Sequence, residues 1–263
     1  MSGLTALFVV LGYAAIAIFL VGVLAKVWKY GTTPSPLKIP QTPAPVTATG
    51  VPVRMLSEVV LFKSLFKSNR VIWLAGYVFH IGLLLVVIKH YRFLFASVPA
   101  GLSYFDTFEM YPGIIMMGGL GLLFLLRLVV DRNMFISVMT DYFLILLFIS
   151  IALTGTLAKH FYRVDITQVK QFMMGLISFS PMGENSAFPT ETIFIIHFSL
   201  VLLLLVYFPF SKLMHSAGVF FSPTRNQVDN PREKRLVAPW AADISGNTVV
   251  SVKEEAAEAP GQA

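Results

Sequence analysis

Four of the five histidines lie in two strongly apolar stretches of the chain. His80 and His90 stand ten residues apart in "FHIGLLLVVIKH", and His197 and His215 stand eighteen apart in a later stretch. Polar side chains at membrane depth are costly, face the protein interior and usually have a function. A lone histidine there can simply hydrogen-bond a neighbouring helix. Two pairs on two helices favour another interpretation, in which imidazoles from two helices ligate a haem iron.

Cysteine chemistry is excluded, because the chain contains no cysteine. It therefore offers no disulfide, no thiolate ligand for an iron–sulfur cluster and no CxxCH attachment of haem. Any redox centre in this chain must depend on histidine.

The elements that position these histidines are long apolar runs. The 263 residues are 56% hydrophobic and 13% charged, whereas soluble domains have about 25% charged residues. Runs long enough to span a bilayer occur at about residues 4–25, 71–96, 110–130, 139–158 and 192–214. We predict an all-α integral membrane protein, a five-helix transmembrane bundle.

The positive charge predicts the orientation of the bundle. Fifteen of the twenty Lys and Arg residues lie in residues 26–70, after the third run and in the tail. The positive-inside rule then places the N-terminus outside and the C-terminus in the cytoplasm. Because the basic residues border membrane runs, we expect the lipid bilayer and no nucleic acid as a partner.

This topology pairs the histidines by height. His80 and His215 fall in the cytoplasmic half, and His90 and His197 in the outer half. On one continuous helix, eighteen residues are five turns, so His197 and His215 share a face. The rises disagree, at about 15 Å for the first pair and about 27 Å for the second. Pro209 lies between the later two and can kink or break that helix.

Two parts are predicted along the chain. Residues 1–220 form the transmembrane domain, with a Pro-rich linker and an interfacial helix within residues 31–70, and residues 221–263 form a partly disordered cytoplasmic tail.

Without haem, the chain would be a membrane scaffold or small transporter, with its histidines in interhelical hydrogen bonds or a proton relay. Transporters often contain inverted repeats. The absence of internal symmetry in this sequence therefore favours the interpretation in which the histidines ligate haem, as in a cytochrome. A cytochrome b of a formate-, hydrogen- or nitrate-linked complex would share the ligand pattern.

At these residues the sequence resembles the gamma subunit of respiratory nitrate reductase and its relatives, which are five-helix dihaem cytochromes b. The resemblance rests on "FHIG", the second histidine ten residues on, and the later pair eighteen apart. It implies two haems b, an inner one held by His80 and His215 and an outer one held by His90 and His197. Lys89 stands where relatives have glycine.

The tail "KLMHSAGVFFSPTRNQVDNPREKR" and "KHYRF" are more similar to one branch of that family. That branch is the membrane cytochrome b subunit of the dissimilatory sulfite reductase-associated electron-transfer complex. It works beside a cytoplasmic iron–sulfur subunit related to heterodisulfide reductase, and further membrane or periplasmic redox subunits are expected.

The resemblance implies a quinol-oxidising or quinone-reducing subunit of an oxidoreductase complex in respiration or sulfur metabolism. It would lie in the inner (cytoplasmic) membrane and exchange electrons between menaquinone or menaquinol and the iron–sulfur partner. Quinol chemistry needs titratable groups near the outer haem. The candidates for this quinone site are Lys89, Tyr91 and His160, together with Asp106, Glu109 and Lys159.

Overall fold

The computed structural model describes residues 2–35, 39–97, 101, 111–181 and 187–229. Within these ranges the chain is helical and contains no strand. The α-helices are α1 Gly3–Thr32, α2 Gly50–Leu61, α3 Lys63–Ser68, α4 Arg70–His90, α5 Tyr111–Val129, α6 Asp131–Ile136, α7 Met139–His160, α8 Ile166–Ile177, α9 Thr192–Tyr207 and α10 His215–Gly218. Short 3-10 turns follow α4, α9 and α10.

Five of the described helices are long and apolar enough to cross a membrane. With their 3-10 extensions these spans are Gly3–Thr32, Arg70–Phe93, Tyr111–Val129, Met139–His160 and Thr192–Phe210. Their outward faces carry large apolar side chains, such as Trp28, of which 74% is exposed, and Val21 at 68%. Such surface suits lipid and not water. The prediction of a five-helix transmembrane bundle is confirmed, and the chain is a multi-pass membrane protein.

The five spans pack in the order α4, α5, α7, α9 and α1. α4, which carries His80 and His90, and α9, which carries His197, are thus separated along this series by α5 and α7. We call the side where α4 and α7 end and α9 begins the His90 end, and the opposite side the His80 end. The orientation of these two ends across the membrane stays a prediction.

Glycines allow α4 and α5 to approach closely. A Cβ atom on residue 119 would lie 2.5 Å from the backbone nitrogen of Phe79, and one on residue 82 would lie 2.5 Å from that of Met116. Small residues at such contacts are typical of helix pairs in membranes. The contact holds the part of α4 that carries His80 firmly against α5.

The core of the bundle at the His90 end is aromatic. Phe172 and Phe188 are almost fully buried there, and the Phe188 ring stacks on Phe8 of α1 at 4.1 Å between centroids. Phe172 belongs to α8, a helix that we did not predict in the segment between the fourth and fifth spans. Asp165 begins this helix by accepting a hydrogen bond from the Thr167 amide at 2.8 Å.

The last span is shorter than expected. α9 ends at Tyr207, and a 3-10 turn Phe208–Phe210 follows instead of the helix to residue 214. Pro209 lacks an amide hydrogen and cannot continue the helical hydrogen bonding. The five-turn argument for His197 and His215 therefore does not apply, because His215 begins the separate helix α10.

The predicted interfacial helix consists of α2 and α3, which meet at Phe62. This residue has φ 49°, in the left-handed region that bulky side chains rarely adopt. Glu58 fixes the junction by accepting a hydrogen bond from the Ser64 amide at 3.0 Å. The Trp73 indole donates to the Leu61 carbonyl at 2.8 Å and ties α4 to the same place.

The Pro-rich linker pairs with the chain beyond α10. The Gln41 amide donates to the Thr224 carbonyl, and the Asp229 amide donates to the Pro45 carbonyl, both at 2.8 Å. The linker therefore closes over the start of the tail. Most of the predicted tail, residues 230–263, lies outside the described residues, so its partial disorder stays a prediction.

Candidate functional site

The structure brings the four histidines together as two facing pairs. The ring centroids of His80 and His215 are 6.2 Å apart, with ring planes at 88°. Those of His90 and His197 are 6.3 Å apart, with planes at 28°. In each pair one ring comes from α4, and the other comes from α9 or from the segment after it. These are the pairs that the topology predicted.

The separation of the rings fits a shared metal ion. Because an imidazole nitrogen binds a metal ion at about 2 Å, two rings on opposite sides of one ion have centroids about 6 Å apart. Within the described residues no group of three or more His, Cys, Asp or Glu side chains is placed to hold a metal ion. Pairs of imidazoles suit a haem iron, since its other four ligands come from the macrocycle.

In three of the four imidazoles, hydrogen bonding of one ring nitrogen leaves the other nitrogen available to bind a metal ion. A carbonyl oxygen can only accept, so each Nδ1 carries the hydrogen and Nε2 keeps its lone pair. This is the usual arrangement for metal-binding histidines. The acceptors are the carbonyls of Gly76 for His80 at 2.7 Å, Val86 for His90 at 2.8 Å and Lys212 for His215 at 2.7 Å.

His197 obtains the same support from α7. Its Nδ1 lies 3.1 Å from the Thr154 hydroxyl, which donates its own hydrogen to the Ser150 carbonyl at 2.7 Å and so accepts from the imidazole. Next to it, a Cβ on residue 155 would fall 2.9 Å from Cε1 of His197. Glycine at 155 therefore makes the room that this ring occupies.

Aromatic rings surround His80. Phe62, at the junction of α2 and α3, meets the imidazole edge to face at 4.9 Å between centroids, and Phe79 does so at 4.7 Å. The α2–α3 segment, which was predicted to lie in the interface, thus forms a wall of the His80 pair.

A cluster of charged groups is connected to His215 through Lys212. The Asp141 carboxylate on α7 is 4% exposed and contacts Lys212 Nζ at 2.8 Å and an Arg127 guanidinium nitrogen at 3.5 Å. Lys212 is also the residue whose carbonyl accepts the His215 hydrogen bond. The segment that carries His215 is therefore tied to both α5 and α7.

The quinone-site candidates that the structure describes lie at the His90 end. Lys89 and Tyr91 flank His90, and the Tyr91 ring stacks on Phe95 at 4.3 Å between centroids. Lys159 and His160 are the last two residues of α7. Asp106 and Glu109 lie outside the described residues. The role of this group in quinone binding stays a prediction.

Sequence reasoning missed the residues that support the histidines. Thr154, Gly155, Phe62 and Asp141 act through neighbours that are remote in the chain. A signal existed for three of them, since "TGT" interrupts the apolar run at 139–158 and Asp141 is an acid near the start of the same run.

A five-helix membrane bundle with facing histidine pairs defines a cytochrome b-like membrane protein. The comparison with known families agrees, since the sequence model of the nitrate reductase gamma subunit matches residues 46–230. The chain belongs to this family, and the resemblance noted from its histidines is confirmed.

Two relatives are similar over almost the whole chain. One is the "Hdr-like menaquinol oxidoreductase cytochrome b-like subunit" of Archaeoglobus fulgidus, which is 35% identical over 279 residues, covering 90% of this chain and 84% of the relative. The protein of the same name from Archaeoglobus profundus is 31% identical over 282 residues, covering 91% and 84%.

Proposed function

We propose that the chain is a dihaem b membrane cytochrome that exchanges electrons between the menaquinone pool and a cytoplasmic iron–sulfur partner. It would serve as the quinol-oxidising or quinone-reducing subunit of a redox complex in the inner membrane. The observation that carries the proposal is the pair of imidazole separations, 6.2 Å and 6.3 Å, each spanning two elements of the bundle.

In this proposal each haem has two axial histidines. His80 and His215 hold the inner haem, and His90 and His197 hold the outer one. The Nδ1 hydrogen bonds fix the orientation of the rings and leave Nε2 of each free to bind iron. Bound haem supplies one-electron transfer, and burial and hydrogen bonding of the ligands set its potential.

The names of the relatives support menaquinol as the diffusible carrier. Its site would lie at the His90 end, where Lys89, Tyr91 and His160 supply groups that can hold or pass a proton. Lys89 and Tyr91 adjoin the ligand His90 in the chain, so a headgroup bound by them would lie close to the outer pair.

The charge distribution supports the orientation of the bundle across the membrane. Basic residues concentrate at the His80 end, which the positive-inside rule assigns to the cytoplasm. His215 is exposed there and is followed by the tail. A docked iron–sulfur subunit, of the kind that "Hdr-like" suggests, would exchange electrons with the inner haem at this end.

The first test is the haem content of the purified chain, measured as the pyridine haemochrome, with reduced-minus-oxidised spectra of single His→Ala variants. We expect two haems b per chain. His80→Ala and His215→Ala should remove one haem, and His90→Ala and His197→Ala the other. A chain without haem would contradict the proposal and favour the scaffold or transporter. Loss with His160→Ala but not His215→Ala would overturn the ligand set.

The second test concerns the carrier. The purified protein, reconstituted in vesicles, should be reduced by a menaquinol analogue. Replacement of Lys89 by Leu should slow this reduction, while reduction by dithionite stays unchanged. If the analogue reduces the wild-type and the Lys89 variant at one rate, the quinone site lies elsewhere. If it reduces neither, menaquinol is not the donor, and a cytochrome of a formate- or hydrogen-linked complex becomes the better assignment.

A further inference from the structure

Asp141 is a carboxylate within a membrane span and is 4% exposed. One of its oxygens, Oδ2, accepts from Lys212 Nζ at 2.8 Å, from an Arg127 guanidinium nitrogen at 3.5 Å and from the Val138 amide at 3.1 Å. Asp141 lies in the first turn of α7, and a buried carboxylate is costly unless it is paired and hydrogen-bonded. Capping the start of α7 explains the contact with Val138, but it needs neither of the two cations.

Lys212 connects this carboxylate to His215. Its ammonium binds Asp141, and its carbonyl accepts the hydrogen bond from His215 Nδ1 at 2.7 Å. Lys212 lies in the 3-10 turn Lys212–Met214, whose start is capped by Ser211 accepting from the Leu213 amide at 3.2 Å. The distance in the chain from the anchored ammonium to the imidazole is only three residues.

His215 needs such an anchor more than the other three histidines do. His80 and His90 lie within α4, and His197 lies within α9, so a continuous helix fixes the backbone of each. His215 follows two consecutive 3-10 turns after the break at Pro209. Runs of 3-10 helix have poorer hydrogen-bond geometry than α-helix. Their conformation therefore depends more on tertiary contacts.

We propose that Asp141 is a positioning residue for His215. By holding the Lys212 ammonium, it fixes the turn whose carbonyl directs the His215 ring toward His80. Arg127, which also donates to the Ser137 hydroxyl at 2.6 Å, holds the carboxylate from the α5 side. The inference rests on the proposed function, because its measurable consequence is the state of the haem held by His80 and His215.

The test compares variants of the full-length protein by redox titration and by haem content. Lys212→Met removes the ammonium and keeps the carbonyl, Asp141→Asn removes the charge and keeps an acceptor for Val138, and Lys212→Arg keeps the cation. The two haems are distinguished by the spectra of the His→Ala variants. We expect Lys212→Met and Asp141→Asn to shift the midpoint potential of the His80–His215 haem or to release it. The His90–His197 haem should stay unchanged and serves as an internal control.

Lys212→Arg should restore the wild-type titration, and Lys26→Met, which removes an equal charge from α1, should leave both haems as they were. A shift of both haems together, or of neither, would overturn the positioning role. The double variant D141L/K212M keeps the test decisive if Asp141→Asn fails to fold, since it removes the buried carboxylate together with its lysine, while Arg127 is 31% exposed and keeps its hydrogen bond to Ser137. It should reproduce the change of the one haem. Wild-type protein without haem would reject the proposed function itself, a result that is distinct from two haems that do not respond.

Discussion

Gly119 of α5 lies against the backbone of Phe79 in α4, so closely that a Cβ on residue 119 would fall 2.5 Å from the Phe79 nitrogen. Main-chain atoms cannot move aside as a flexible side chain can. Since His80 follows Phe79 directly, this contact also fixes the height and direction of the first histidine.

Replacement of Gly119 by Ala should therefore push α4 and α5 apart. Overpacking of this kind costs roughly 1–3 kcal/mol. We expect a lower midpoint of thermal unfolding in detergent and a weaker spectrum of the His80–His215 haem. Gly118→Ala is the matched control, because a Cβ on residue 118 meets no atom within 4 Å. Equal effects of the two replacements would mean that the close approach of α4 and α5 is incorrect.

A methyl group at residue 155 should disturb the other pair. A Cβ there would lie 2.9 Å from Cε1 and 3.3 Å from Nδ1 of His197. We expect Gly155→Ala to turn the imidazole away from His90 and to reduce the content of the His90–His197 haem, as read from the reduced-minus-oxidised spectrum. Gly121→Ala adds the same methyl group in open space on α5 and should keep both haems. Retention of both haems in Gly155→Ala would argue against this position for His197.

The Thr154 hydroxyl should govern how tightly the same haem is held. Thr154→Val removes the acceptor of the His197 Nδ1 hydrogen bond, and the loss of such a partner typically costs 10–100-fold in metal affinity. We expect faster transfer of one haem to apomyoglobin added in excess, with the other haem lost at its wild-type rate. Thr154→Ser keeps the hydroxyl and should behave as wild type. A rate of loss that is identical in the Val and Ser variants would contradict the assigned hydrogen bond.

Phe62 should have separable effects through its backbone and its ring. Its φ of 49° is costly for any residue with a Cβ, by about 1–2 kcal/mol. Phe62→Gly should therefore be more stable than Phe62→Ala in thermal unfolding. Both variants remove the ring that covers His80, so water reaches that pair and favours the oxidised haem, which carries the greater charge. We expect the same decrease in the midpoint potential of the His80–His215 haem in both variants.

Phe62→Tyr is the control for this experiment, because it keeps the ring and the backbone conformation. Its haem potential should remain close to that of the wild type. A decrease in Phe62→Ala that is absent from Phe62→Gly would assign the effect to backbone strain and not to the cover over His80.

The fold was predictable because hydropathy determines which segments enter the membrane. Three of the five spans begin and end within three residues of the apolar runs, as for the run at 139–158 and the helix Met139–His160, whereas the first continues to Thr32, seven residues beyond the run at 4–25. The end of α9 was harder to place, because Pro209 and the packing of Gly22 against it decide where the helix stops. A Cβ on residue 22 would lie 2.6 Å from the Pro209 side chain. The proline can be read from the sequence, but its contact with Gly22, which is remote in the chain, cannot.

α8 was missed for a different reason. It is short and half polar, and its signal is the spacing of Val169, Phe172 and Leu176 on one face, which is weak beside the five long runs. Its stability comes from packing against α1, where Phe172 is fully buried. Short helices form in proteins mainly through such tertiary contacts.

The histidine pairs were predictable from topology, since one early and one late histidine meet at each height of an antiparallel arrangement, whereas the spacing of His197 and His215 on one helix was not a valid argument. The supporting residues were not predictable in this way. Thr154 matters because α7 packs beside α9, and Asp141 matters because α7 begins at the end of the bundle where the chain continues past Pro209 to Lys212. Both relationships depend on which helices become neighbours, and the pattern of apolar residues leaves that open.

The break after α9 also bears on how the chain tolerates insertions. His80 and His90 lie on one uninterrupted helix, which sets their separation at about 15 Å along its axis. A residue inserted between them would rotate one imidazole by about 100° and part it from its mate. The partner side has no continuous helix between Tyr207 and Lys212, so a change of length there does not rotate His215 relative to His197, whereas the stretch from Lys212 to His215 is held by the Asp141 contact. α4 thus sets the separation of the two histidine pairs, and the chain between α9 and Lys212 is the part that tolerates a change of length.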